Sequence, residues 1–77
     1  MLMTRPKFIE NKDWFYIDKT EKEYKLYENA CYKLTDKAPK EAVESYLTYN
    51  EAIFKYSLGY VPEYVYEEYR KHIARFN

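Results

Sequence analysis

The chain has 77 residues, with 13 lysines and arginines, 13 aspartates and glutamates, and an aromatic content of 21%. A chain of this length forms one domain around a small core, so residues 1–77 are expected to be a single domain. The balanced charge offers no bulk attraction to nucleic acid, and no run of about 20 apolar residues predicts a membrane-spanning helix.

Cysteine and histidine are scarce, since Cys31 is the only cysteine and His72 the only histidine. An intramolecular disulfide is thereby excluded, and a zinc site, which needs about four clustered sulfur or nitrogen ligands, is not expected. The apolar stretch at the N-terminus is too short, and is followed too soon by a charged residue, for a secretory signal. A single cysteine fits a reducing compartment. We therefore predict a cytoplasmic protein without a metal or cofactor.

Tyrosine is the residue in excess, with eleven copies. Each buried tyrosine hydroxyl needs a hydrogen-bond partner or water, so a core of this size cannot enclose all of them. Several tyrosines should be exposed, where they give an interface large contact area. The alternative is that they line a small core and extend their hydroxyls to solvent.

The first part of the chain predicts extended structure. Residues 1–12 contain a proline and a polar turn signal, and predict an extended arm or a short edge strand around Phe8 and Ile9. Residues 14–17, Trp-Phe-Tyr-Ile, are β-prone and lie between two aspartates. They predict a β-strand.

The segment from 19 to 34 has two interpretations. Residues 24–27 can form the return strand of a hairpin, and we favour a strand that ends at residues 32–34. A capping box at residues 20–23, followed by apolar residues at helical spacing, leaves a helix over residues 21–30 as the alternative.

A helix is predicted over residues 39–58. Asp36 can cap it, and Pro39 can occupy its first turn, where no backbone N–H is needed. Gly59 supplies the stop, because helices commonly end with a glycine in the left-handed conformation.

A second helix is predicted over residues 62–75, with Pro62 at its start. Its C-terminal end carries three basic residues that suit the helix dipole: Arg70, Lys71 and Arg75. The predicted fold class is α+β, a short antiparallel β-hairpin followed by two packed α-helices, with a mostly α-helical fold as the alternative.

The first helix carries more apolar surface than one neighbour can cover. At about 100° per residue, one apolar stripe includes Val43 and Phe54, and a second stripe lies beside it. The second stripe consists of Ala42, Tyr46, Tyr49, Ile53 and Tyr56. Either the helix is central, with the sheet packed on one side and the second helix on the other, or the second stripe meets another chain, which predicts a symmetric homodimer.

Six residues are predicted to contact a partner: Tyr46, Tyr49, Ile53, Tyr56, Tyr60 and Tyr64. Tyr64 is included because it lies among charged residues on the second helix. The opposite face of that helix is predicted to be buried, and consists of Val65, Tyr69, His72, Ile73 and Phe76.

No catalytic constellation is predicted. Cys31 with His72 as its base would form a nucleophile pair, but no motif surrounds the cysteine and His72 lies on the core face of its helix. Glu68 and His72 stand at i, i+4, which suits two metal ligands but is more typical of an ordinary side-chain pair. Without a glycine-rich phosphate loop or a serine elbow, we expect a protein that is not an enzyme.

Two segments have a recognisable pattern: residues 10–18 (ENKDWFYID) and residues 33–46 (KLTDKAPKEAVESY). They resemble small uncharacterised accessory proteins of Gram-positive phages and prophages, in which a tryptophan-tyrosine strand leads to a KLTDKAP turn and a tyrosine-rich helix. The resemblance covers less than a third of the chain. It implies a phage accessory protein in the host cytoplasm, where small non-enzymatic products often bind and disable a host protein.

The sequence thus predicts a protein that binds and inhibits or adapts a host protein, such as a CRISPR nuclease. An acidic span at 41–69 holds six glutamates and one lysine. Five of them can imitate phosphates in a basic channel, with Tyr60 and Tyr64 as aromatic anchors, namely Glu44, Glu51, Glu63, Glu67 and Glu68. A solvated helix face is the ordinary alternative.

Two other classes of function stay open at this point. One is a small structural or assembly protein of the virion. The other is a weak nucleic-acid binder that uses Arg70, Lys71 and Arg75 with nearby aromatic residues.

Overall fold

The computed structural model describes residues 5–27 and 31–76. Its elements are, in chain order, a 3₁₀-helix Lys7–Glu10, β1 (Phe15–Ile17), α1 (Lys22–Tyr27), β2 (Tyr32–Leu34), α2 (Lys40–Ser57), α3 (Glu63–Ile73) and a closing 3₁₀-helix Ala74–Phe76. Two antiparallel strands followed by two packed helices confirm the predicted α+β class.

The two strands pair over three residues each, in the register Phe15 opposite Leu34 and Ile17 opposite Tyr32. The strand predicted at 14–17 is therefore present over three of its four residues. Its partner is the strand that we expected to end at 32–34.

The predicted return strand at residues 24–27 is wrong, because this stretch is helical in α1. The Glu21 carbonyl accepts the N–H groups of Tyr24 and Lys25, both at 3.1 Å. A helical turn satisfies these backbone groups locally, within the long connection that the strand register leaves between Ile17 and Tyr32. The helical alternative is confirmed over α1, while residues 28–30 of that prediction lie outside the described residues.

The predicted edge strand around Phe8 and Ile9 is also wrong, since Lys7–Glu10 is a 3₁₀-helix. The Ile9 N–H bonds back to the Pro6 carbonyl at 3.2 Å, and the Phe8 N–H donates to Ser45 Oγ of α2 at 3.0 Å. The turn places the Phe8 side chain in the centre of the protein, where it is fully buried. Burial of a phenylalanine contributes roughly 1.5–3 kcal/mol, which a strand on the sheet edge would lose.

The predicted helix at 39–58 is observed as α2, Lys40–Ser57. Pro39 is extended and precedes the helix, and no side chain caps the N-terminus, so the predicted Asp36 cap is not formed. The stop at Gly59 is confirmed. Gly59 has φ of 78° and donates its N–H to the Phe54 carbonyl at 3.1 Å, a left-handed helix end that other residues adopt rarely.

The predicted helix at 62–75 is observed as α3, Glu63–Ile73, followed by the closing 3₁₀-helix. Pro62 is extended and precedes the first helical residue. Val65 and His72 of the predicted buried face are buried, whereas Phe76 is 38% exposed. Phe76 lies in the closing 3₁₀-helix, where the α-helical spacing on which that prediction rests no longer applies.

Helix α2 packs against α3 on one side and against the 3₁₀-helix Lys7–Glu10 on the other. The central-helix alternative thus holds for the second helix, whereas the 3₁₀-helix takes the place that we expected the sheet to occupy. The apolar core consists of Phe8, Cys31, Leu34, Ala38, Ala42, Val43, Tyr46, Phe54 and Val65. Over the described part of the chain, no helix has the length and apolar character needed to cross a bilayer.

Candidate functional site

The six residues predicted to contact a partner lie at three depths. From core to surface they are Tyr46 (fully buried), Tyr49, Ile53 and Tyr64 (half-buried), and Tyr60 and Tyr56 (exposed). The tyrosine stripe of α2 is therefore divided between the core and solvent.

Tyr46 is a structural residue. Its hydroxyl donates a 2.7 Å hydrogen bond to the Tyr32 carbonyl, and its ring lies 5.4 Å from that of Phe8, edge to face. Burial raises the pKa of the Tyr46 hydroxyl far above its ordinary value, and the nearby Glu68 carboxylate adds to the rise. A side chain enclosed in this way presents no surface, so the structure removes Tyr46 from the set of partner contacts.

Tyr49 and Ile53 are both half-buried, and Tyr49 packs against the apolar core. The Tyr49 ring belongs to the same aromatic cluster, at 5.7 Å from Phe8 and 6.3 Å from Tyr32. Burial raises the pKa of the Tyr49 hydroxyl. Tyr49 is therefore part of the scaffold as well as of the surface.

Tyr64 differs from the exposed aromatic residue that the helical wheel predicts. Its ring packs edge-on against Phe54 at 6.2 Å, and the Lys33 ammonium lies 5.2 Å from its centroid. Its hydroxyl is buried and has no well-formed hydrogen bond within residues 5–27 and 31–76. Burial raises the pKa of Tyr64, and a weak interaction with the Cys31 thiol contributes to the rise.

Tyr56 and Tyr60 are the exposed pair. Tyr56 lies in the last turn of α2 and Tyr60 in the connection between α2 and α3, and we call them the corner pair. Tyr56 is 93% exposed and Tyr60 is 44% exposed. The Tyr60 hydroxyl donates to Glu23 Oε2 at 3.3 Å, which ties the turn to α1. Tyr56 makes no hydrogen bond or ring contact with any described residue.

A polar cavity of ≈ 250 Å³ lies beside α3. Its lining consists of Glu21, Lys33, Tyr64, Glu67, Glu68 and Lys71. Lys33 forms ion pairs with Glu21 at 2.8 Å and Asp18 at 3.2 Å. Burial disfavours the charged lysine, but the two carboxylates outweigh that effect and raise its pKa to about 12. Lys33 is thus held as a fixed cation that joins β2 to the start of α1.

A buried polar network lies below this cavity. Glu68 Oε2 accepts the Leu34 N–H at 2.9 Å and contacts His72 Nε2 at 3.0 Å. Arg75 Nη2 lies 3.0 Å from His72 Nδ1. Because a guanidinium only donates, we infer that Nδ1 is the acceptor and that the ring proton on Nε2 is donated to Glu68.

The network determines what His72 can do. Both of its ring nitrogens are engaged, so it is not placed to act as a base for Cys31. Burial raises the pKa of the Cys31 thiol, with the Tyr64 hydroxyl opposing that rise, so the reactive thiolate is disfavoured. The Glu68 and His72 pair is the side-chain pair that the i, i+4 spacing indicates, and here it joins α3 to β2.

The acidic residues of the span 41–69 are not equally available. Glu68 is only 8% exposed. Glu51 accepts a hydrogen bond from the Tyr66 hydroxyl at 3.2 Å, and Glu63 pairs with Arg70 at 2.9 Å. An acidic surface that imitates nucleic acid would therefore lack Glu68. Its Glu51 and Glu63 already bind Tyr66 and Arg70 within the fold.

The basic cluster at the end of α3 also has partners within the fold. Arg75 donates to the carbonyls of Asp36 at 2.6 Å and Ala38 at 3.2 Å, and so clasps the turn that precedes α2. Arg70 pairs with Glu63. These contacts account for two of the three basic residues without nucleic acid.

The sequence indicated some of these residues and missed others. The i, i+4 spacing marked Glu68 with His72, but not the Leu34 N–H that Glu68 accepts. The sequence did not predict that Arg75 binds the turn before α2, because its acceptors are backbone carbonyls about forty positions earlier. Among the described residues, no group of three or more histidine, cysteine, aspartate or glutamate side chains is placed to hold a metal ion.

No protein family, curated protein or solved structure matches the chain.

Proposed function

We propose that this protein binds a host protein through the corner pair, and that binding inhibits or adapts that host protein. The observation that carries the proposal is Tyr56, which is 93% exposed on a regular helix and forms no hydrogen bond or ring contact with any described residue. Tyrosine on a rigid element gives a partner a large amphipathic contact at low entropic cost. Tyr60, held through Glu23, supplies a second aromatic group at a fixed position.

The resemblance to phage accessory proteins supplies the setting, the cytoplasm of a Gram-positive host. The two segments that resemble them, residues 10–18 and 33–46, contain β1, most of β2 and the first part of α2. They belong to the scaffold, and the corner pair lies outside both. A shared scaffold with a separate aromatic contact suits proteins that bind different host targets, among which a defence nuclease is our leading candidate.

The other functions that the sequence left open have less support. Glu68 is buried, which weakens the imitation of nucleic acid by the acidic span. Arg70 and Arg75 are engaged within the fold, which weakens nucleic-acid binding. A role in the virion has no particular residue in its favour.

The proposal is tested by site-specific crosslinking. A photoreactive phenylalanine derivative replaces Tyr56 in the tagged protein, which is expressed in a Gram-positive host, and crosslinked proteins are identified by mass spectrometry. The partner is then purified and its affinity is measured by calorimetry. We expect Tyr56→Ala to weaken binding by about 30-fold, the effect of losing a hot-spot residue worth about 2 kcal/mol.

Phe76→Ala is the matched control, because Phe76 is an exposed aromatic residue on another element. It should leave the affinity unchanged, and circular dichroism should show that both variants are folded. The same crosslink recovered from purified phage particles would instead indicate a virion protein. Equal affinity of Tyr56→Ala, Tyr60→Ala and the unmodified protein for the captured partner would refute the proposal.

A further inference from the structure

The two outer edges of the β-hairpin differ. The Asp18 N–H donates to the Cys31 carbonyl at 2.8 Å, and the Thr35 N–H donates to the Trp14 carbonyl at 2.9 Å. In an antiparallel pair, this pattern makes Tyr16 and Lys33 the residues whose backbone groups point at each other. The N–H and C=O groups of their neighbours on each strand therefore point outward.

Side chains cover part of the outer edge of β2. The outward N–H of Leu34 donates to Glu68 of α3 at 2.9 Å. The outward C=O of Tyr32 accepts the Tyr46 hydroxyl of α2 at 2.7 Å. Two buried side chains thus satisfy two of the four outward backbone groups on this edge.

On the outer edge of β1, residues 5–27 and 31–76 supply no such side-chain partner. The N–H and C=O groups of Phe15 and Ile17 point outward, and none of the four has a hydrogen-bond partner among the described residues. Two large side chains of this strand are also exposed, Tyr16 at 50% and Ile17 at 44%. An unpaired strand edge with exposed apolar side chains is a template for pairing with another strand.

We propose that β1 pairs with β1 of a second copy of this chain, antiparallel and centred on Tyr16. The hydrogen-bond pattern allows this register, because the outward groups of Phe15 meet those of Ile17 from the other copy. Each copy then donates two N–H groups and accepts two, and Tyr16 lies opposite Tyr16 on the two-fold axis. The central pair does not exchange hydrogen bonds, and in such pairs the side chains approach most closely.

Charge favours a second copy as the occupant. In the register centred on Tyr16, Asp13, two residues before β1 of one copy, is aligned with Lys19, two residues after β1 of the other, on both sides of the axis. Neither residue forms an ion pair within the described chain. A strand paired with its own copy is thus self-complementary in both hydrogen bonds and charge.

The dimer joins two hairpins into one four-stranded sheet. Three paired residues on each side bury less than the roughly 1,200 Å² at the lower limit of stable interfaces, so association depends on protein concentration. This dimer differs from the one that the α2 stripe predicted, because Tyr46 of that stripe is buried.

The proposal is tested by charge exchange at Tyr16 in the full chain, with sedimentation velocity over a concentration series as the readout. Tyr16→Lys places two like charges opposite each other on the axis, as does Tyr16→Glu. Each variant alone should raise the dimer dissociation constant by about tenfold or more. An equimolar mixture of the two should restore dimerisation, because opposite charges then face each other.

Tyr56→Lys is the matched control, because it adds the same charge at an exposed tyrosine outside β1, and it should dimerise normally. Hydrogen exchange followed by NMR should show that the Phe15 and Ile17 amides gain protection as the concentration rises. A monomer at every concentration would overturn the proposal. So would a dimer that is indifferent to both Tyr16 variants, or protection of these amides in the monomer. Protection that appears only when a different protein is added would assign the edge to that protein instead.

Discussion

Glu68 of α3 accepts the backbone N–H of Leu34 across 2.9 Å, and so joins a helix to the edge of a sheet through a buried carboxylate. The same oxygen contacts His72 Nε2 at 3.0 Å. A carboxylate with so little exposure is tolerated when charge-assisted hydrogen bonds replace the water it has lost. The packing of α3 against β2 therefore depends on Glu68.

Replacement of Glu68 tests this dependence. Glu68→Ala removes the acceptor of the Leu34 N–H and of the His72 ring, and should lower the free energy of unfolding by about 2–4 kcal/mol. Glu67→Ala, on the exposed side of the same helix, should change it by less than about 0.5 kcal/mol. Urea denaturation followed by circular dichroism measures both. Equal midpoints for the two variants would contradict the role assigned to Glu68.

Arg75 is expected to stabilise the turn before α2. Arg75→Ala removes the hydrogen bonds to the carbonyls of Asp36 and Ala38, and should cost about 1–2 kcal/mol. Arg70→Ala breaks only an exposed ion pair with Glu63, which is worth less than about 1 kcal/mol. Hydrogen exchange should also show faster exchange of the Ala38 amide in Arg75→Ala than in Arg70→Ala. If both variants exchange like the unmodified protein, Arg75 does not clasp the turn.

The elements that could be predicted from the sequence have local causes. Gly59 ends α2 because its own conformation differs from that of other residues, and prolines 39 and 62 mark helix starts within one residue. The strand at β1 follows from a run of β-prone side chains. In each case the deciding interaction lies within a few residues of the signal.

The features that could not be predicted depend on segments far apart in the chain. Phe8 lies in a turn because its N–H donates to Ser45 on α2 and its ring packs in the aromatic cluster. Tyr64 is half-buried because β2 brings Lys33 over its ring, although a helical wheel places it on a charged face. For the same reason Tyr46 is buried and Tyr56 is exposed, although both lie on one stripe of α2. Periodicity gives the angle of a side chain around a helix, but it does not show which turns of the helix other segments cover.

Cys31 should be inert in the folded protein. It is fully buried, and burial raises the pKa of its thiol above the ordinary value of 9.0. At pH 8, labelling by a disulfide reagent such as Ellman's reagent should be slower than in urea by about 100-fold or more, since it requires transient opening. A Cys31→Ala chain that carries Lys19→Cys is the exposed control. Immediate labelling of native Cys31 would place the thiol at the surface.

Tyr46 should make the protein lose stability at alkaline pH. Its pKa in the folded protein is raised from the ordinary value of 10.0, so the folded state retains a proton that the unfolded state releases. The stabilising effect of a raised pKa is complete below pH 10 and is lost as the pH rises above it, at about 1.4 kcal/mol per pH unit. Tyr46→Phe removes this loss, but at neutral pH it also removes the hydrogen bond to Tyr32, at a cost of about 1 kcal/mol.

The stability curves of the two proteins should therefore cross. The unmodified protein is expected to be the more stable at pH 7, and Tyr46→Phe the more stable above about pH 11, where the ionisation effect exceeds the hydrogen bond. Urea titrations between pH 7 and pH 11.5, followed by far-ultraviolet circular dichroism, measure the difference. Tyr56→Phe removes an exposed hydroxyl and should follow the unmodified protein throughout. Parallel curves for Tyr46→Phe and the unmodified protein would mean that the Tyr46 hydroxyl ionises as easily in the folded state as in the unfolded state, which its burial against the Tyr32 carbonyl does not allow.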